Sequence, residues 1–137
     1  MKVLACIDLS TQAQTVLENS IELAKWKQAE LIIFTVAEDF IDFGEGVTLA
    51  LTEQIKAQAQ KRLEEAGKTV QSMGISARTV MDYGSSPADS ILTFAESEHV
   101  DLIVLGSRAK TGLDRFLIGS VASKVVAHST CSVMVLR

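Results

Sequence analysis

The chain has 137 residues, 47% of them hydrophobic and 22% charged, which is enough apolar material for one domain with its own core. A net charge of −4 gives the molecule as a whole no electrostatic pull toward nucleic acid or an anionic membrane surface. No apolar run approaches the roughly 20 residues needed to span a bilayer, and Cys6 and Cys131, the two cysteines, show no CxxC or Cys/His spacing for zinc.

The first element is the apolar run over residues 3–7, expected to be a strand buried on both faces. Asp8 interrupts the segment too early for a secretory signal, so the expected setting is the reducing cytoplasm, with structural cysteines. Thr11-Gln-Ala-Gln14 matches a capping box, and Ala13, Val16, Leu17, Ile21 and Ala24 follow at helical spacing. Residues 31–36 read as a second buried strand, rich in branched and aromatic side chains. The irregular polarity and two glycines of 37–46 read as a loop. Leu51, Ile55, Ala59, Leu63, Ala66, Val70 and Met73 then mark a long amphipathic helix closed by Gly74. Residues 78–81 alternate in polarity, as an edge strand with one wetter face does.

Ser86-Pro87 opens the next helix, with proline where its missing N–H is harmless; Ala88, Ile91, Leu92 and Ala95 form its inner face. Residues 102–105 are a fourth strand. Residues 119–128 are expected to be helical through packing, since valine is a poor helix former. Residues 132–136 form the fifth strand. Strands alternating with helices predict right-handed crossovers and a parallel sheet covered on both faces, an α/β doubly wound domain. Ligands of such sheets bind beyond the carboxyl ends of the strands. That makes residues 8–10, 37–39, 82–86 and the stretch after 106 the places to look.

The stretch GSRAKTGLDRFLIGS, residues 106–120, stands out. About 13 residues separate the fourth strand from its helix, against roughly 2–6 in an ordinary connection of this kind. Across residues 106–124, Arg108, Lys110, Arg115 and Lys124 face only Asp114, a local charge of +3 in an acidic protein. Gly119-Ser120 would present N–H groups and a hydroxyl at a helix N-terminus, where an anion is favoured. The alternative is a surface connector with Gly119 as a cap. Asp8 likewise has two readings, an acceptor for ribose hydroxyls or a bond to backbone N–H groups of its own turn. His99 and His128, near helix ends, suit the dipole and have no acid or nucleophile fixed beside them. Trp26 and Phe94 read as core or hinge residues, and Phe40 and Phe43 as packing under the long helix. The P-loop, GxGxxG, HExxH and GxSxG patterns are all missing.

Taken together, the β-α alternation, Asp8-x-Ser10, the Gly84-Ser-Ser-Pro87 turn and the terminal Ser132-Val-Met-Val-Leu-Arg137 resemble the universal stress proteins. The most specific match is to the nucleotide-binding branch, which carries Gly, two residues, Gly, nine residues, then Gly-Ser or Gly-Thr. Here that becomes Gly106, Ser107-Arg108, Ala109, nine residues, Gly119-Ser120. The resemblance spans 1–137 as a single nucleotide-binding domain. It implies a five-stranded parallel sheet of order 3-2-1-4-5, with Asp8 and Gly106 neighbours in space. It further implies that Asp8 contacts ribose and that backbone at Val36 reads adenine. Gly106, Ala109 and Gly119, Ser120, Val121 and Ala122 would hold phosphates beside the basic Arg108, while Ile7 and Leu105 line the pocket.

The implied ligand is ATP, or ADP or AMP, with Mg²⁺ as a possible companion of the phosphates. The implied assembly is a homodimer paired through the C-terminal strand, whose apolar residues 133–136 would otherwise leave a bare edge. The expected role is a stress-response sensor or regulator with unidentified protein partners and at most slow ATP hydrolysis. The alternative is a dimeric interaction module of the same fold without nucleotide. Two departures bear on this. Ala109 stands at the second glycine, costing on the order of 1 kcal/mol if that position needs positive φ. Cys6 and Leu9 replace the proline and small residue common beside the aspartate.

Overall fold

Five strands and four helices alternate along the chain: β1 (Lys2–Cys6), α1 (Ala13–Lys27), β2 (Glu30–Glu38), α2 (Leu49–Ser72), β3 (Ala77–Gly84), α3 (Pro87–Ser97), β4 (Leu102–Gly106), α4 (Ser120–His128) and β5 (Ser132–Leu136). The structure is a computed structural model that describes residues 1–38, 49–107 and 118–137. The strands form one parallel sheet in the order β3-β2-β1-β4-β5. The registers pair Ala5 with Ile33 on one side and with Val104 on the other.

Side chains of successive strand residues point to opposite faces, and the core divides accordingly. Val3, Ala5, Leu31, Ile33 and Val104 face α1 and α2, meeting Val16, Leu17, Ile21, Leu63, Ala66 and Val70. Leu4, Ile32, Phe34, Ile103 and Leu105 face α3 and α4, meeting Ala88, Ile91, Ala95, Ala122 and Val125. Phe94 stacks on Phe34 with ring centroids 4.7 Å apart, a contact worth about 0.5–1.5 kcal/mol beyond its buried area.

Local signals explain most of the boundaries. Gly74 ends α2 with φ of 85°, a conformation that glycine adopts without steric cost. At the start of α3 the Ser86 hydroxyl accepts the Asp89 N–H at 3.3 Å, with Pro87 in the first turn. The expected capping box does not form: the N-cap of α1 is Gln12, not Thr11, and it makes no side-chain cap bond. Ser10 takes over the turn instead, its hydroxyl accepting the Gln12 N–H at 3.3 Å. β2 runs on through Ala37 and Glu38, where a loop is expected from sequence, and pairs with β3 as far as Glu38 opposite Gly84. Trp26 is 75% exposed, so it is no core residue. It lies off the α1 stripe of Ala13, Val16, Leu17, Ile21 and Ala24, and Lys27 sits 4.2 Å from its ring centroid. Leu51 is 39% exposed and Ile55 half-buried; the buried face of α2 begins at Ala59. The loop reading of 39–46, with Phe40 and Phe43, falls outside the described residues.

Candidate functional site

In a parallel sheet, the crevice beyond the strands' carboxyl ends opens where neighbouring strands lead away in opposite directions. That place lies between β1, whose neighbour is β2, and β4, whose neighbour is β5. A pocket of about 560 Å³ fills it, a size usual for small-molecule sites. Eleven positions are expected from sequence to form the site. Of these, Ile7, Asp8, Val36, Leu105, Gly106, Gly119, Ser120, Val121 and Ala122 line this one pocket. Arg108 and Ala109 lie outside the described residues, as do Lys110, Asp114 and Arg115.

The β1 side is held by a short chain of hydrogen bonds. The Ile7 N–H donates to the Phe34 carbonyl at 2.9 Å, and the buried Thr35 hydroxyl donates to the Ile7 carbonyl at 2.8 Å. The backbone of Ile7 is thereby engaged by β2, and the residue serves as apolar wall. Asp8 Oδ1 accepts the Ser10 N–H at 2.8 Å, so its turn-forming bond is made. The same carboxylate lines the pocket, and the turn fixes where it stands. Glu38, at the end of β2, adds a second carboxylate to this side.

The β4 side is organised by Ser107, which is 4% exposed. Its N–H donates to the Leu136 carbonyl at 2.8 Å and its carbonyl accepts the Gly119 N–H at 2.7 Å. Its hydroxyl accepts from Gln12 Nε2 at 3.1 Å. One serine thus ties together the end of β5, the cap of α4 and the cap of α1. Gly119 is the N-cap of α4, and Ser123 is the first residue whose N–H finds an acceptor within it, the Gly119 carbonyl at 2.9 Å. The N–H groups of Ser120, Val121 and Ala122 precede that bond and carry the positive end of the helix. The pocket is therefore polarised, with carboxylates at β1 and β2 and helix N–H groups at α4.

Gly106 stands between these two ends. A Cβ there would lie 2.6 Å from Gln12 Oε1 and 3.0 Å from Gln12 Cβ. Within the described structure the demand for glycine comes from the neighbouring glutamine side chain. Cys6 also reaches the pocket wall. Burial, followed by the negative charge of Asp8 and then by Cys131, pushes its thiol well above the ordinary cysteine range. That disfavours the thiolate form on which cysteine nucleophilicity depends. Among the described residues no group of three or more His, Cys, Asp or Glu is placed to hold a metal ion.

Gln12 and Thr35 line the pocket and were missed by sequence reasoning, while Glu38 and Ser107 fall in stretches it singled out but received no role there. Gln12 meets Ser107 across 95 residues of chain, and no spacing pattern encodes such a contact. Ser107 sat in full view inside the glycine motif, read only as spacer.

The model of the universal stress protein family matches residues 1–137. Universal stress protein YxiE of Bacillus subtilis is 34% identical over 146 aligned positions, which cover 99% of this chain and 98% of that protein. The solved structure of universal stress protein UspA from Lactobacillus plantarum matches with a TM-score of 0.83 and 28% identity, over 100% of this chain and 97% of the other. The universal stress protein from Archaeoglobus fulgidus in complex with dAMP matches with a TM-score of 0.75 and 21% identity, over 100% of this chain and 98% of the other.

Proposed function

The chain belongs to the universal stress protein family, and from that premise we propose that it binds an adenine nucleotide between β1 and β4 and acts as a homodimeric stress-response regulator. The observation that carries this reading is the convergence of nine expected site positions, drawn from β1, β2, β4 and α4, on one pocket at the switch of the sheet. The polarity of that pocket suits the ligand. Ribose hydroxyls donate to Asp8 at the acidic end, while phosphates meet the N–H groups of residues 120–122 at the other. Val36, Leu105 and Ile91 supply apolar surface for the base. The dAMP complex of the Archaeoglobus fulgidus protein supports the ligand class.

The nucleotide we assign is ATP, with ADP and AMP as shorter occupants. Mg²⁺ typically binds through substrate phosphates, water and one or two carboxylates, and Asp8 suits that limited role. Arg108 is assigned to the phosphates as well. Phosphoryl transfer needs a group that orients the nucleophile, and we assign the site at most slow ATP hydrolysis.

Titration calorimetry of the nucleotide-stripped protein with Mg-ATP tests this, run beside Gly119→Val and Ala109→Gly. Wild type is expected to bind and Gly119→Val, checked for folding by circular dichroism, to lose binding. Binding only in Ala109→Gly would mean that this chain keeps the scaffold and has lost the ligand. No heat in either would overturn the nucleotide reading and leave a dimeric interaction module.

A further inference from the structure

We propose that the uncharged side chain at position 12 is what lets the pocket accept a polyphosphate as well as a monophosphate, an inference that rests on the nucleotide reading above. Gln12 is the N-cap of α1, yet its side chain leaves the helix uncapped and donates through Nε2 to Ser107 Oγ at 3.1 Å. On the way it packs so closely on Gly106 that a Cβ there would lie 2.6 Å from its Oε1 and 3.0 Å from its Cβ. A side chain held at both points lines the pocket at a fixed place.

That place is linked by hydrogen bonds to both poles of the site. On one side, the Gln12 N–H donates to Ser10 Oγ and the Ser10 N–H to Asp8 Oδ1, a direct link to the ribose-side acid. On the other, Ser107 carries the Gln12 amide on its hydroxyl and the Gly119 N–H on its carbonyl, a link to the phosphate-side helix cap. On the nucleotide reading, a phosphate chain running from Asp8 toward Ser120 shares this pocket with the Gln12 carboxamide. The pocket already holds the carboxylates of Asp8 and Glu38. An uncharged amide at position 12 keeps a third negative charge away from the growing phosphate chain while still bridging α1 to β4.

The substitution Gln12→Glu isolates the charge. A glutamate of nearly the same shape keeps the bridge by accepting the Ser107 hydroxyl proton, and Gln12→Ala removes the bridge without adding charge. Wild type, Gln12→Glu and Gln12→Ala are titrated with AMP, ADP and ATP at constant Mg²⁺, after thermal melts establish that all three fold. Under the proposal, Gln12→Glu weakens ATP on the order of tenfold, ADP less and AMP least. Gln12→Ala shifts all three nucleotides by one common factor. A Gln12→Glu loss equal for all three, or no loss, overturns the proposal by reducing Gln12 to a structural bridge. If wild type binds none of the three, the nucleotide reading itself fails and Gln12 falls with it.

Discussion

At the scale of single residues, the clearest case is the pair Gly106 and Gln12. The glycine stands out in the sequence as part of a spaced motif, where its small size suggests close approach of a ligand. The structure adds a second reason, since the space a Cβ would take is occupied by Gln12. The Oε1 end of that side chain can swing aside, but its Cβ, 3.0 Å away, is anchored to the backbone of α1. Gly106→Ala is therefore expected to destabilise the fold by about 1–3 kcal/mol, the usual range for overpacking, as read from urea unfolding. The same change in a Gln12→Ala background should cost much less, because residues in contact couple. An equal cost in both backgrounds would place the crowding elsewhere. Asp8 is the complementary case. Its two readings, turn and pocket, looked like rivals in the sequence, but the side chain is bonded to the Ser10 N–H while lining the pocket.

Elements were legible where periodicity carried the signal and illegible where tertiary partners decided. The strands at residues 3–7, 31–36 and 102–105 announce themselves as apolar runs because both of their faces are covered. Trp26 was misread because a large aromatic suggests a core, although the α1 stripe excludes it. The capping box failed because Thr11 belongs to the turn that Asp8 and Ser10 build, leaving Gln12 as cap. The C-terminal end of α3 depends on charge. Glu98 sits 2.8 Å from Arg78 of β3 and 3.8 Å from Lys2 of β1, joining that end to two strands. The Arg78 hydrogen bond, ahead of the charges of Arg78 and Lys2, holds the Glu98 carboxyl below its ordinary value of 4.5. A depressed carboxyl pKa adds stability above the ordinary value, and that stability is lost as pH falls through the folded-state value. Glu98→Gln should thus melt below wild type at neutral pH, with the gap closing as pH drops below 4.5. It should also shrink in high salt, since these side chains are partly exposed. A gap that persisted unchanged in acid would show that packing, not charge, carries the effect.

At the scale of the whole molecule, the strand order β3-β2-β1-β4-β5 is what turns the separate stretches around Asp8 and Gly106 into one site. Element periodicity gives the alternation of strands and helices but not their lateral order, which here came from the family resemblance. Part of the order is nonetheless written in the pattern of exposure. β1 and β4 have fully buried centres, whereas β3 and β5 carry only exposed and half-buried residues, as edge strands do. Among the described residues β5 pairs only with β4, so no described strand covers its outer backbone edge, and Met134 in its middle is 38% exposed. An apolar open edge favours pairing with a second chain. In a two-fold dimer the facing strand is the same strand running antiparallel, which sets Met134 near the axis. Met134→Glu would then bring two carboxylates together across the interface, an arrangement that opposes pairing. In sedimentation velocity at micromolar concentration, wild type should run as a dimer and Met134→Glu as a folded monomer. A monomeric wild type would overturn the assembly proposed here. A dimer untouched by Met134→Glu would move the interface away from β5, and with it any direct path from the interface to the pocket through the Ser107 N–H on the Leu136 carbonyl.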